Sequence, residues 1–250
     1  AVAAILTGFL VKHVGWRAAF AVPSLVAIGC GVLFALVVPR EDMAPARRKP
    51  QLLDLPRATL ARVFAVMTLT AVSGSLVFNF TTNGTGQLLA ERFRGTVEDP
   101  AMLGALLALV FATASFAQLA VGLLIDRFPL RRIYLPIVAM QVPLFLLASQ
   151  AQGWALLAIA IAYMAFVFGA IPFTDAIILR YVDDRMRSRV TGMRLAVSFT
   201  GASLAIWLLG PAVKSAGFAT MLVAMAGIAT ITAALVCFLP ARDGADAAPA

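Results

Sequence analysis

Between Ile133 and Thr174 the chain runs without a single charged side chain. So long an apolar stretch cannot be coated by the polar residues of a water-soluble globule, and it places this part of the chain in hydrocarbon. A bilayer core about 30 Å thick is crossed by roughly 20 helical residues, so the stretch is twice too long for one crossing. It must fold back, and Ser149-Gln-Ala-Gln-Gly153 is where polar residues and glycine interrupt it. Further uncharged runs occupy 18–38, 63–79, 101–125, 195–213 and 218–239, the last two parted by Pro211, Lys214 and Gly217. That makes seven spans. Ala1 to Val11, apolar from its first residue with no basic leader, reads as the second half of a further span. With 62% hydrophobic and only 13% charged residues, the whole chain agrees with these runs, and the fold class expected is an all-α polytopic membrane protein.

The charges that remain carry orientation. Of the 20 Lys and Arg residues, fifteen lie in the connection 39–62, the turn 126–132, the segment 180–194 and at Arg242. The alternate connections hold only Lys12, Arg17, Arg92, Arg94 and Lys214. The arginine-rich side is therefore expected to be cytoplasmic. These basic residues sit in short clusters between apolar runs rather than along one face, so the expected partner is the lipid bilayer and not nucleic acid. Cys30 and Cys237 lie inside apolar runs and there is one His, which leaves no disulfide framework and no metal cluster. There is no phosphate-binding Walker loop, and Gly84-Thr-Gly86 lacks the third glycine of a dinucleotide fingerprint. No cofactor, no metal and no catalytic residues are expected, and the chain is not read as an enzyme.

Two segments stand apart. Pro39 to Pro56 is proline-rich and charged, the composition of a linker rather than a tight turn. Gly122-Leu-Leu-Ile-Asp126-Arg127-Phe-Pro-Leu-Arg131-Arg132 packs charge between two spans. This spacing resembles the signature of the major facilitator superfamily, roughly Gly-x-x-x-Asp-Arg/Lys-x-Gly-x-Arg/Lys-Arg/Lys, which follows the second span of each half of those transporters. Here Gly122, Asp126, Arg127, Arg131 and Arg132 match, and Pro129 replaces the loop glycine. Gly15-Trp16-Arg17 is similar to the family's entry into helix six. Arg189-Val-Thr-Gly192, with Gly201 and Gly210-Pro211 after it, is similar to the opening of helix eleven.

The resemblance covers the whole chain and implies a C-terminal fragment, from the end of helix five to helix twelve. Its expected divisions are 1–38, a remnant of an N-terminal bundle; 39–58, a cytoplasmic linker; 59–240, a six-helix bundle; and 241–250, a cytoplasmic tail. The signature residues would act as a conformational latch against the missing N-terminal bundle. Gly122 would permit close approach of a neighbouring helix, and Asp126 would pair with arginine or a helix N-terminus.

Polar side chains within the spans are the candidates for binding or coupling. Asn79 and Asn83 are four residues apart and share a helical face, with Thr82 beside them, toward the outer end of their span. Phe111, Ser115, Gln118 and Gly122 form a stripe on the next span, and an amide in hydrocarbon must find a partner. Asp175 is the acid that lies within a span other than at its terminus, a place where ionisable groups pair, relay protons or meet substrate. Arg180 or Arg194 would pair with it. Pro172, three residues earlier, is expected to kink the span, and Tyr163 adds aromatic surface. The function expected is secondary transport of a small solute, with protons as a possible coupling ion. The alternatives are a seven-helix receptor, which here has no lysine in its last spans, or a polytopic membrane enzyme. The alanine- and arginine-rich composition points to a bacterial inner membrane.

Overall fold

The computed structural model describes residues 10, 14–37, 57–97, 99–182 and 184–238. The expected linker 39–58, apart from its last two residues, lies outside them, as do the tail and the whole of Ala1 to Val11 except Leu10. Among the described residues the regular structure is helical throughout. The chain forms two compact units, Ala1–Gln51 and Leu52–Ala250.

In the first unit, Gly15 (φ +105°) ends a turn in which its own N–H and that of Val14 both donate to the Leu10 carbonyl at 2.9 Å. Helix α1 (Trp16–Val37) follows. Its large side chains, Trp16, Phe20, Leu25, Ile28 and Phe34 among them, are exposed at every azimuth. A helix that is apolar all round takes lipid or other apolar helices as its surroundings.

The second unit contains α2 (Arg57–Arg92), α3 (Pro100–Ile125), α4 (Leu130–Gln150), α5 (Gly153–Gly169), α6 (Ile171–Tyr181) and α7 (Asp184–Val236). With α1, six helical segments are long and apolar enough to cross a membrane, α5 and the start of α6 counting as one crossing, Gly153–Ile178. The last, Ser188–Val236, holds two of the seven spans expected from sequence. Ser75 Oγ donates to the Ser198 carbonyl at 2.9 Å, and Thr232 Oγ1 donates to Ser73 Oγ at 2.8 Å. On one straight helix residues 198 and 232 would stand roughly 50 Å apart at 1.5 Å per residue. Both meet the same turn of α2, so α7 must reverse between them, and it does so at Gly217, whose φ of 76° and ψ of 162° are not helical.

That conformation is open almost only to glycine. A Cβ at Gly217 would touch nothing within 4 Å, so backbone strain is the whole cost of adding one. Gly217→Ala is expected to lose about 1–3 kcal/mol of stability. Gly227→Ala, equally uncrowded but inside a helix, should gain about 0.5–1 kcal/mol. Opposite shifts of the two thermal midpoints in detergent check the pair.

One boundary differs from the sequence expectation. The span ending near Asn79 continues as helix to Arg92, which puts Asn79 near the middle of the crossing Arg62–Arg92 rather than at its outer end. The polar residues that looked like a span's end are satisfied by the helix itself. Thr81 and Thr85 hydroxyls and the Asn79 and Asn83 amides all donate to carbonyls four residues back. Gly84 and Gly86 then leave room for Phe218 and Leu209 of α7 and Leu107 of α3, at 3.3–3.7 Å from where a Cβ would be.

Consecutive crossings alternate in direction. At one end Arg92 Nη2 donates to the Ser149 carbonyl at 3.3 Å and Phe93 meets Trp154 edge-on at 5.4 Å, bringing the ends of α2 and α4 to the start of α5. Near the other end Tyr134 of α4 stacks on Phe173 of α6 at 4.5 Å. Within this bundle, Arg62, the arginines of 127–132 and Arg189 therefore gather at one end, and Arg92, Arg94 and Lys214 at the other.

Candidate functional site

The crossing that carries Asp175 is broken. The N–H of Ala170 reaches back to the Phe166 carbonyl at 3.1 Å and closes α5; Pro172, in the first turn of α6, has no N–H to continue the ladder. Gln141, only 4% exposed in α4, donates its Nε2 to the same Phe166 carbonyl at 3.1 Å. An amide from a neighbouring crossing thus holds the break. Gln141 was not among the sequence candidates. Its signal was its place in the uncharged run, where a buried amide has to be paired.

Beyond the break, Asp175 Oδ1 accepts from Arg194 Nη2 at 2.8 Å and ties α6 to α7. The partnership is lopsided in exposure: the Asp175 side chain is 58% exposed and that of Arg194 only 14%. Arg194 Nε is buried without a hydrogen-bond partner. The Arg180 side chain is outside the described ones, so of the two partners expected from sequence the structure shows Arg194.

The α3 stripe separates cleanly from the core. Val110, Ala114, Val121 and Ile125 are buried, whereas Phe111, Gln118 and Gly122 are half-buried and Ser115 is exposed. No described residue hydrogen-bonds the Gln118 amide. Phe111 of α3 and Phe78 of α2 both pack on Phe168 of α5, with ring centroids 6.0 and 5.3 Å away. Thr82, one turn after Phe78 on the same face, has an Oγ1 that is buried and unpartnered. Asn79 Nδ2 donates to the Ser75 carbonyl at 2.9 Å, and the exposed Asn83 donates Nδ2 to the Asn79 carbonyl at 2.8 Å. Each asparagine thereby spends amide N–H on its own helix and keeps its side-chain carbonyl as a free acceptor, and Asn83 keeps one N–H as well.

Two sequence expectations are corrected here. Tyr163 is fully enclosed, its hydroxyl 2.9 Å from Thr85 Oγ1 and its ring 5.3 Å from Phe145, so it packs the core rather than facing a solute. Gly122 permits no close helix contact within this bundle, since a Cβ there would meet nothing within 4 Å. The close approach of α3 to α5 is at Gly169, where a Cβ would lie 3.1 Å from Val121.

The segment after Gly122 forms the turn between α3 and α4. Arg127 and Phe128 N–H groups donate to the Leu124 carbonyl, and Arg132 N–H donates to that of Pro129. Pro129, at φ −58° and ψ 134°, starts α4, and no residue of the turn needs a positive φ, so the glycine of the resembled signature is dispensable here. Asp126, Arg127 and Arg132 are exposed; Arg131 is half-buried and engaged. Among the described residues no three His, Cys, Asp or Glu side chains come together as metal ligands. Comparison with protein-family models, curated proteins and solved structures finds no match.

Proposed function

We propose that this multi-pass membrane protein is a secondary transporter of the major facilitator type, and that 57–236 is its C-terminal bundle. The observation that carries the reading is the face formed by Phe78, Thr82, Phe111, Gln118 and Phe168. It combines aromatic surface with unspent hydrogen-bonding groups partway along crossings that are otherwise apolar, where polar groups are costly to keep. Alternating access needs a second bundle against such a face, which the resemblance assigns to an N-terminal bundle of the same protein. Exposed Asp126 and the open surface over Gly122 are then available to that bundle as one side of a latch. The break at Ala170 gives α6 a pivot, with the Asp175–Arg194 pair holding it against α7. The arginine-rich end faces the cytoplasm, in the inner membrane of a bacterium. No cofactor and no catalytic group enters this scheme.

Proteoliposomes of the full-length protein, loaded with a labelled solute panel, should show counterflow well above protein-free vesicles. Solute binding with no counterflow for any member would point to a receptor. Proton coupling through Asp175 predicts that gradient-driven uptake is lost in Asp175→Asn while counterflow persists. Undiminished gradient-driven uptake in that variant would remove Asp175 from the coupling step.

A further inference from the structure

The polar groups of the proposed face, the Thr82 hydroxyl and the Gln118 amide, can donate as well as accept, so it is charge that separates one ligand from another here. Beside this face, Asn79 spends its Nδ2 on Ser75, Asn83 spends one N–H on the Asn79 carbonyl and keeps the other, and both offer carbonyl oxygens. The carboxylate of Asp175 is largely exposed, whereas the guanidinium that pairs with it is mostly covered. The other arginines of this end whose side chains are described, Arg62, Arg127, Arg131, Arg132 and Arg189, belong to the start of α2, the turn after α3 and the start of α7, outside the Phe78–Phe168 level. An anion approaching this face would be repelled by the exposed carboxylate; a cation would find it complementary.

Aromatic geometry adds the second half. Phe168 lies between Phe78 and Phe111, and none of the three rings is fully buried. Asp175 comes seven residues later, and Ala170 between them keeps right-handed helical backbone (φ −76°, ψ −19°), so both lie on the same side of the crossing. Seven residues at 1.5 Å each separate ring and carboxylate by about 10 Å along the axis. The phenylalanine faces supply flat apolar contact and attraction for positive charge within about 6 Å.

Resting on the transport reading, we infer that this face binds a flat organic cation, with the aromatic body on Phe78, Phe111 and Phe168 and the positive end toward Asp175. Arg194 stays on Oδ1 and positions the carboxylate rather than binding the ligand.

The test is titration of ethidium, a flat aromatic cation, into the full-length protein in phosphatidylcholine nanodiscs, read by its fluorescence. Anilinonaphthalene sulfonate serves as the aromatic anion. Ethidium should bind and the anion should not displace it. Asp175→Asn should weaken ethidium binding about threefold to fivefold and Asp175→Glu should restore most of it, the scale of one partly screened charge contact. Phe168→Leu, which keeps apolar bulk but removes the ring, should weaken it about threefold or more. Should Asp175→Asn fail to fold, the Phe168→Leu and anion results decide alone. Unchanged ethidium affinity in a folded Asp175→Asn or in Phe168→Leu, or displacement by the anion on equal terms, overturns the inference. Counterflow of glucose or benzoate without ethidium binding sinks the cation site and leaves transport standing. Ethidium binding with no solute moved does the reverse.

Discussion

Phe173→Ala is expected to destabilise the bundle by about 2–4 kcal/mol. Phe173 is fully buried in the first turn of α6, its ring stacked on the equally buried Tyr134 of α4 at 4.5 Å and 17° between planes. Lipid tails are as apolar as the ring, so little is lost through transfer, and the cost lies in the cavity and the missing contacts. It falls where α6 can least absorb it, because the break at Ala170 disconnects α6 from the hydrogen-bond ladder of α5. Phe116→Ala is the control. That side chain is 73% exposed and should cost little. Equal losses in denaturant titrations of the two variants would mean that the Phe173 stack does not anchor α6.

The second large effect is an asymmetry between the two members of the Asp175–Arg194 pair. Asp175→Asn leaves a guanidinium that is 14% exposed and whose Nε already lacks a partner, so it should cost about 2–3 kcal/mol. Arg194→Met leaves a carboxylate that is 58% exposed and can be hydrated, so it should cost less than about 1 kcal/mol. The double variant should return close to the level of Arg194→Met, since it no longer carries an unpaired covered charge. Unfolding of the three variants measures the cycle. A larger loss from Arg194→Met than from Asp175→Asn would show that the arginine acts through packing of its stem instead.

How much was legible in the sequence differs between residues that look alike. Gln118 and Gln141 are both lone amides in apolar spans, yet one has no partner among the described residues and the other pins the end of α5. Tyr163 and Phe168 are aromatics five residues apart on one helix, yet the first is enclosed against Thr85 and Phe145 and the second joins the half-open ring cluster. Asn79 and Asn83 read as the end of a span because their chemistry is that of a cap. Only the back-bonding of Asn79, Thr81, Asn83 and Thr85, with Gly84 and Gly86 packed against neighbours, shows the helix passing through them.

Hydropathy and charge along the chain were sufficient for the all-α polytopic class, the fold-back at Ser149 to Gly153 and the reversal near Gly217. They also separated the arginine-rich connections from the others. These follow from the sequence because each depends on local composition measured against the thickness of a bilayer. Which side of each helix meets its neighbours was decided only by the tertiary structure. In water a helix declares its inner face by apolar residues set against polar ones. In lipid both faces are apolar, and the azimuth that makes Gln118 available, Tyr163 structural and Asp175 the exposed half of an ion pair is set by packing alone.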